Sequence, residues 1–282
     1  MTDIDIMNGD IRLAASVEGP ADGAPVLFLH GITMSRDTWH ETKQRLSNQH
    51  RLWTLDFRGH GHSDRAPSYD LSGYRSDAEA VLARIGRPTI VVGHSLGGCV
   101  AGMLGQSGHP NVRAIFLEDP PWFLGEGGEW KQTVFPKLFS ILSSRHVAMR
   151  SENAPLETYL DFVSNGPDLL GGLVRDHITP RHLFSHASAI QRFDGRCLTG
   201  AIDTMLAAID TSRPFRCPAR LIYGERKFGS AFLESHAARL ASASPAAEIV
   251  HYEKCGHHPR RMMALHDRFF QDLESFILAQ QG

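Results

Sequence analysis

Short, uninterrupted apolar runs alternate along this chain with longer stretches in which apolar residues return at helical spacing. Pro25-Val26-Leu27-Phe28-Leu29, Thr89-Ile90-Val91-Val92 and Ala114-Ile115-Phe116-Leu117 are too uniformly apolar to have one wet face, so they read as buried strands. Arg51–Asp56, Ala219–Tyr223 and Glu248–Tyr252 are further strands. Trp39–Leu46, Leu71–Ile85, Phe232–Leu240 and Met262–Leu278 read as helices, the last one amphipathic. Asp3–Met7 and Arg12–Glu18 flank Asn8-Gly9, a two-residue hairpin signal, so two antiparallel strands open the chain. The rhythm predicts an α/β fold: a mostly parallel, eight-stranded sheet with helices on both faces.

The rhythm breaks between Trp122 and Arg213. Apolar residues there, such as Phe135, Leu138, Phe139 and Leu142, recur at helical spacing, and no stretch reads as a strand. Gly125–Gly128, Gly166-Pro167 and Gly171-Gly172 punctuate the segment. The expected organisation is a core domain of residues 1–121 and 214–282, with residues 122–213 inserted as a helical cap.

Composition narrows the function. Twenty-nine Lys and Arg against 31 Asp and Glu give a formal charge of −2, without the basic excess that nucleic acid requires. Cys99, Cys197, Cys217 and Cys255 show neither paired zinc spacing nor C-x-x-C, which suits a reducing compartment. The N-terminus is acidic and leads into no signal-type apolar run, and no window reaches the length of a membrane span. A cytoplasmic protein with a small-molecule substrate, and neither nucleic acid nor membrane as partner, is expected. Nothing in the sequence sets an oligomeric state.

Chemistry concentrates at Gly93-His94-Ser95-Leu96-Gly97-Gly98. A buried strand runs into Gly-x-Ser-x-Gly, and a run rich in small residues follows. Gly93 and Gly97 lie two residues either side of Ser95, where side chains would collide with an abrupt strand-to-helix reversal. Such a turn lifts the hydroxyl above the sheet and aims the unpaired N–H groups of a helix N-terminus at the reacting atom. A phosphate cradle of the Walker type would need a Lys-Ser/Thr pair closing the loop, and none is present.

Four pieces, each at a strand end, together resemble the α/β-hydrolase family: His30-Gly31; Asp56-Phe57-Arg58-Gly59-His60-Gly61-His62-Ser63; Gly93–Gly98; and Gly256-His257. The resemblance covers nearly all of the chain outside the inserted segment. It implies Ser95 as nucleophile, His257 as base and, for the oxyanion hole, the backbone N–H groups of Ile32 and Leu96. The order serine, acid, histidine is the one this fold uses. His30 and His94 are expected to buttress loops. His258 is the neighbour with which His257 is most easily confused.

The acid departs from the family's usual pattern. Three residues past the glycine that ends Leu221-Ile222-Tyr223-Gly224 stands Lys227, and a lysine cannot stabilise an imidazolium. Some family members carry the carboxylate after the strand that follows the nucleophile helix, which here ends Glu118-Asp119-Pro120-Pro121. Laying the strand onto those relatives selects Asp119, and strand alternation sends Glu118 to the opposite side. Glu118 and Glu225 remain the alternatives.

His60-Gly61-His62-Ser63-Asp64 also contains H-x-H-x-D, the opening of a metallo-hydrolase signature, but Arg65 stands where that signature continues with histidine. No metal and no organic cofactor are expected. The cap carries nine Lys and Arg against ten Asp and Glu, so it shows no charge preference for substrate. Among its aromatics, Trp122 and Phe123, just after the expected acid, are the pocket candidates by position. Serine as nucleophile argues against the family's halide and epoxide branches, which use aspartate there. The reading is a serine hydrolase cleaving a small, largely apolar carboxylic ester or lactone through an acyl-enzyme. Carbon–carbon bond cleavage, thioester hydrolysis and a hydrolase-derived ligand sensor are the alternatives.

Overall fold

A computed structural model describes residues 1–198 and 202–280. Its strands are β1 (Thr2–Asn8), β2 (Ile11–Glu18), β3 (Ala24–Leu29), β4 (His50–Leu55), β5 (Thr89–His94), β6 (Val112–Glu118), β7 (Ala219–Tyr223) and β8 (Glu248–His251). They form one sheet in the order β1-β2-β4-β3-β5-β6-β7-β8. β2 runs antiparallel to both β1 and β4, and every other pairing is parallel. The helices of the described residues are α1 (His40–Leu46), α2 (Leu71–Ile85), α3 (Leu96–Ser107), α4 (Phe135–Ser151), α5 (Leu156–Ser164), α6 (Pro180–Arg192), α7 (Ile202–Leu206), α8 (Glu234–Ala243) and α9 (His266–Ala279).

The central strands are apolar throughout because both faces are covered. Leu27, Leu29, Val91, Ile115, Leu117 and Leu221 pack on one face against residues of α2 and α3, such as Val81, Leu82, Val100 and Leu104. Val26, Phe28, Ile90, Val92, Ala114, Phe116 and Ile222 face the other way, onto Trp39, Leu46, Phe269, Leu273 and Phe276. The period of two along each strand thus sorts side chains between two cores. It also decides what happens at the end of β6, where Glu118 continues the parity of Ala114 and Phe116.

Local chemistry shifts some boundaries. The opening hairpin turns at Gly9-Asp10, and Asn8 stays in β1 opposite Ile11. Its side-chain amide donates to Asp77 Oδ1 at 2.9 Å, which holds it on α2. A 3-10 turn over Arg36–Trp39 precedes α1. The final helix starts at His266 rather than Met262, because Pro259–Arg261 form a separate 3-10 turn first.

Helices α4 to α7 lie between β6 and β7 in the chain, and among the described residues no strand interrupts them. Leu142, Met149, Tyr159, Val163, Ala187, Ile190 and Phe193 form an apolar cluster of their own. Residues 199–201 of the expected cap and 281–282 of the expected core lie outside the described residues.

Candidate active site

Ser95 follows β5 directly and precedes the first residue of α3, with φ 53° and ψ −115°. A non-glycine residue held at positive φ stores strain that its surroundings must over-determine. The flanking glycines make the turn sterically possible. A Cβ on Gly93 would lie 2.1 Å from the Gly97 carbonyl oxygen, and one on Gly97 would lie 2.2 Å from that of Leu29. Ser95 N–H donates to the Glu118 carbonyl at 2.9 Å, which ties the turn to the neighbouring strand.

The Ser95 hydroxyl lies 2.9 Å from His257 Nε2, and His257 Nδ1 lies 2.6 Å from Asp119 Oδ2. The structure therefore brings Ser95, His257 and Asp119 into one hydrogen-bonded line, with the carboxylate on the side of the imidazole away from the serine. Asp119 is fully buried, and a buried carboxylate needs donors. Ser230 Oγ–H donates to Oδ1 at 2.5 Å, and the N–H groups of Ala231 and Phe232 donate at 2.7 and 3.1 Å. Sequence reasoning did not single out these three residues. The signal was present, because they sit in the loop after β7, where the family's usual acid would stand.

The other acids are occupied. Glu118 accepts from the Arg260 backbone N–H at 3.0 Å and from its Nε at 3.2 Å, on the far side of the sheet from Asp119. Glu225 is bound by Lys227 Nζ at 2.6 Å and by the Lys254 N–H at 2.6 Å.

Histidines brace the loops around this line. His30 accepts from Phe57 N–H through Nε2 at 3.1 Å, so its Nδ1–H donates to the Gly31 carbonyl at 2.8 Å. His94 Nε2 lies 2.9 Å from the His257 carbonyl and 3.2 Å from His258 Nδ1. Burial above all holds His30, His94 and His258 well below the ordinary imidazole range. These rings are thus neutral brackets rather than proton carriers. His94 grips the backbone of His257 itself, which fixes the imidazole over Ser95.

A small cavity of about 370 Å³, counting its mouth, opens over Ser95 and His257. Ile32 and Leu96 are on its wall, next to Ser95, while Trp130, Phe135, Phe139, Ile202, Met205 and Leu206 line it from the inserted segment. Phe135 sets its ring edge-on to His257, with centroids 4.9 Å apart. Trp122 and Phe123 do not line the cavity, contrary to expectation. The chain turns at Pro120–Pro121, and Trp122 packs into the space left by Gly102 of α3, where a Cβ would lie 2.3 Å from its ring. Phe123 packs on Phe232 and His236, under the Arg239 guanidinium. Sequence position near the acid was a poor guide, because the side chains point into the core on which the site rests.

The residues of H-x-H-x-D diverge. His60 is buried and engages the Arg58 carbonyl at 3.0 Å, His62 meets Arg192, and Asp64 is bound by Arg12 at 3.1 Å.

A hydroxyl, an imidazole and a buried carboxylate in line can move the serine proton as its oxygen attacks a carbonyl carbon. A family model described as "Alpha/beta hydrolase family" matches residues 26–271. A pimeloyl-[acyl-carrier protein] methyl ester esterase of Chromobacterium violaceum is 25% identical over 255 residues, 86% of this chain and 91% of that protein. A serine hydrolase-like protein of Danio rerio is 34% identical over 117 residues, 40% of this chain and 36% of its own length. In matches of that kind the chain spans only about a third of the relative's length. A thermophilic esterase from Thermogutta terrifontis superposes with TM-score 0.71 at 18% identity, covering all of both chains, which is a likeness of fold.

Proposed function

Since the chain belongs to the alpha/beta hydrolase family, we propose that it is a serine hydrolase cleaving a small, largely apolar carboxylic ester or lactone. The observation that carries this reading is the line from Ser95 Oγ through His257 to the buried Asp119 carboxylate, with contacts of 2.9 and 2.6 Å. Ser95 Oγ attacks the acyl carbon while His257 Nε2 takes its proton, and the carbonyl electron pair moves onto oxygen. The oxyanion is received by the Ile32 and Leu96 N–H groups, donors fixed before the charge develops. Collapse breaks the acyl–oxygen bond, and His257 returns the proton to the departing alkoxide. Water then attacks the acyl-Ser95 ester by the same route, releasing the acid. Asp119 holds His257 in one tautomer and stabilises its positive form.

The apolar cavity wall supports an apolar acyl group, and its small size supports a short one. Residues 122–213 act as the cap, since they supply six of the wall residues and hold a cluster of their own. The four cysteines are free, consistent with a reducing, cytoplasmic setting. Among the described residues no helix is long and apolar enough to cross a membrane.

The test is a panel of p-nitrophenyl acyl esters of graded chain length, lactones and thioesters, with Ser95→Ala as control and a fluorophosphonate as active-site label. Short esters or lactones should turn over, and Ser95→Ala should lose both turnover and label. Unchanged turnover in Ser95→Ala removes the nucleophile. Absent turnover and labelling would favour a ligand sensor, whereas a ketone substrate cleaved at carbon–carbon while esters are ignored would move the reaction class.

A further inference from the structure

His40 and Glu41 open α1, His182 lies in the first turn of α6, and His266 begins α9. The ligand atoms of His40, Glu41 and His182 all lie within 4.8 Å of one another. The imidazole rings of His40 and His182 are 4.5 Å apart between centroids. His40 is 7% exposed and His182 is fully buried, yet Nε2 of each is a buried polar atom without a hydrogen-bond partner. Each stands 3.7 Å from a Glu41 carboxylate oxygen, too far for a hydrogen bond. Two buried, unpartnered ring nitrogens flanking one carboxylate need an explanation, because buried polar atoms are normally satisfied.

We propose that His40 Nε2, His182 Nε2 and the Glu41 carboxylate bind a divalent transition-metal ion of the zinc class. The donor set is the right one: two imidazoles and a carboxylate suit Zn²⁺, with water in the fourth position. The surroundings orient the ligands. His40 Nδ1 donates to the Asp37 carbonyl at 3.1 Å, which leaves the Nε2 lone pair free. His182 Nδ1 lies 3.0 Å from Thr179 Oγ1 and can be held in the same way. His266 Nε2 lies 2.7 Å from Glu41 Oε2, so it steadies the carboxylate from outside. Donors in a tetrahedral zinc site lie about 3.4 Å apart, so the three need only close by roughly an ångström onto the ion. The Glu41 side chain keeps 20% of its surface exposed, which provides the entry path. Arg260 and Arg261 both lie close enough for their charge to act on His182; Glu118 pairs with Arg260 at 3.2 Å, and burial brings the Arg261 guanidinium down to about 9.

The ion would join elements far apart in sequence: α1 and, through His266, α9 of the sheet domain, and α6 of the inserted segment. It would serve as a clasp between the two, independent of the chemistry at Ser95.

Metal-free full-length protein, prepared by chelation, should be titrated with Co²⁺ and followed by visible absorption, then with Zn²⁺ in competition. One equivalent of Co²⁺ should give ligand-field bands that Zn²⁺ abolishes. Zn²⁺ at a hundred times its Kd should raise Tm by about 5–10 °C. His182→Gln and His40→Gln should each lose the bands and the shift while circular dichroism confirms that they fold. Thr179→Val, which leaves all three ligands in place, should weaken binding and so guards against a folding failure in the histidine variants. His257→Gln should keep the full signal. Absence of bands in the unaltered protein, or their loss in His257→Gln with retention in both His182→Gln and His40→Gln, overturns the proposal.

Discussion

Ser95 and Asp119 occupy the same place on neighbouring parallel strands: each is the first residue beyond the paired residues His94 and Glu118. Each also has a positive φ, 53° at Ser95 and 44° at Asp119. The two backbones leave the sheet in the same unusual way, and His257 bridges the side chains so presented. Asp119→Asn should therefore lower kcat by about 10⁴ with the fold intact, the loss seen when the corresponding carboxylate is neutralised in serine proteases. Glu225→Gln should leave kcat within a few-fold of the unaltered enzyme. Steady-state kinetics on a short p-nitrophenyl ester reads both.

Glu118 has a different task. Glu118→Ala would strand the buried Arg260 guanidinium without its partner, and such a loss typically costs about 3–5 kcal/mol. Urea denaturation should show that loss, while kcat of the remaining folded enzyme stays high. A collapse of kcat at full stability would instead put Glu118 in the chemistry.

Ser230 is a positioning residue. Removing a hydrogen bond to a charged group costs about 1.5–3 kcal/mol, so Ser230→Ala should lower kcat by roughly ten- to a hundred-fold. KM should stay within a few-fold of the unaltered enzyme while kcat falls, and Ser230→Thr, which keeps a hydroxyl donor, should recover part of kcat; a merely structural role would produce neither.

The strain at Ser95 is separable from its chemistry. Ser95→Gly relieves the positive φ and Ser95→Ala does not, so the glycine variant should melt higher than the alanine variant, by about 1 kcal/mol or more in stability. Both should be inactive. Equal melting temperatures would mean that the turn is not strained.

Asp194 supplies a pH-dependent anchor for the inserted segment. Burial pushes its carboxyl up, but hydrogen bonds from Arg196 and Tyr69 outweigh this and bring it down to about 2. Its N–H also donates to the Gly59 carbonyl at 2.7 Å. Because the folded value lies below the unfolded one, the stabilisation is present above pH about 4 and fades as pH falls toward 2. Asp194→Asn should thus lower the urea midpoint at pH 6 and make much less difference at pH 2.5. An equal loss at both pH values would show that the charge contributes nothing.

The sheet was legible because burial on both faces leaves a plain signature: Leu27 and Phe28 must both be apolar, whichever core they enter. The pairing of Ser95 with His257 was legible through the α/β-hydrolase resemblance, whose pieces all stand at strand ends. The same resemblance pointed to Asp119, and the alternation that the packing of Phe116 and Leu117 displays sends Glu118 to the other face. What the sequence hid depends on contacts between distant residues. Trp122 looks like a pocket residue until Gly102 of α3 is seen to leave it a berth. Ser230 is an ordinary loop serine until the carboxylate it serves comes from another strand. The start of α9 depends on how Pro259–Arg261 fold against Glu118, which no local pattern encodes.

The loop after β7 offers Asp119 one hydroxyl and two backbone N–H groups, and contributes no charge of its own to the line through His257. The donors sit at Ser230, Ala231 and Phe232, and Glu225 braces the segment before His257 through Lys254 and Cys255, so within this loop the side chains of Arg226 and Lys227 are the ones that give nothing to Asp119. Lys227, two-thirds exposed, is what such freedom permits. Substitutions at Arg226 and Lys227 can therefore accumulate without touching the donors to Asp119, whereas a change of loop length would displace Ser230 and the turn that Gly229 makes at φ 87°. The immovable position has shifted to the end of β6, where a single residue of insertion would exchange the surroundings of Glu118 and Asp119 and disable both at once.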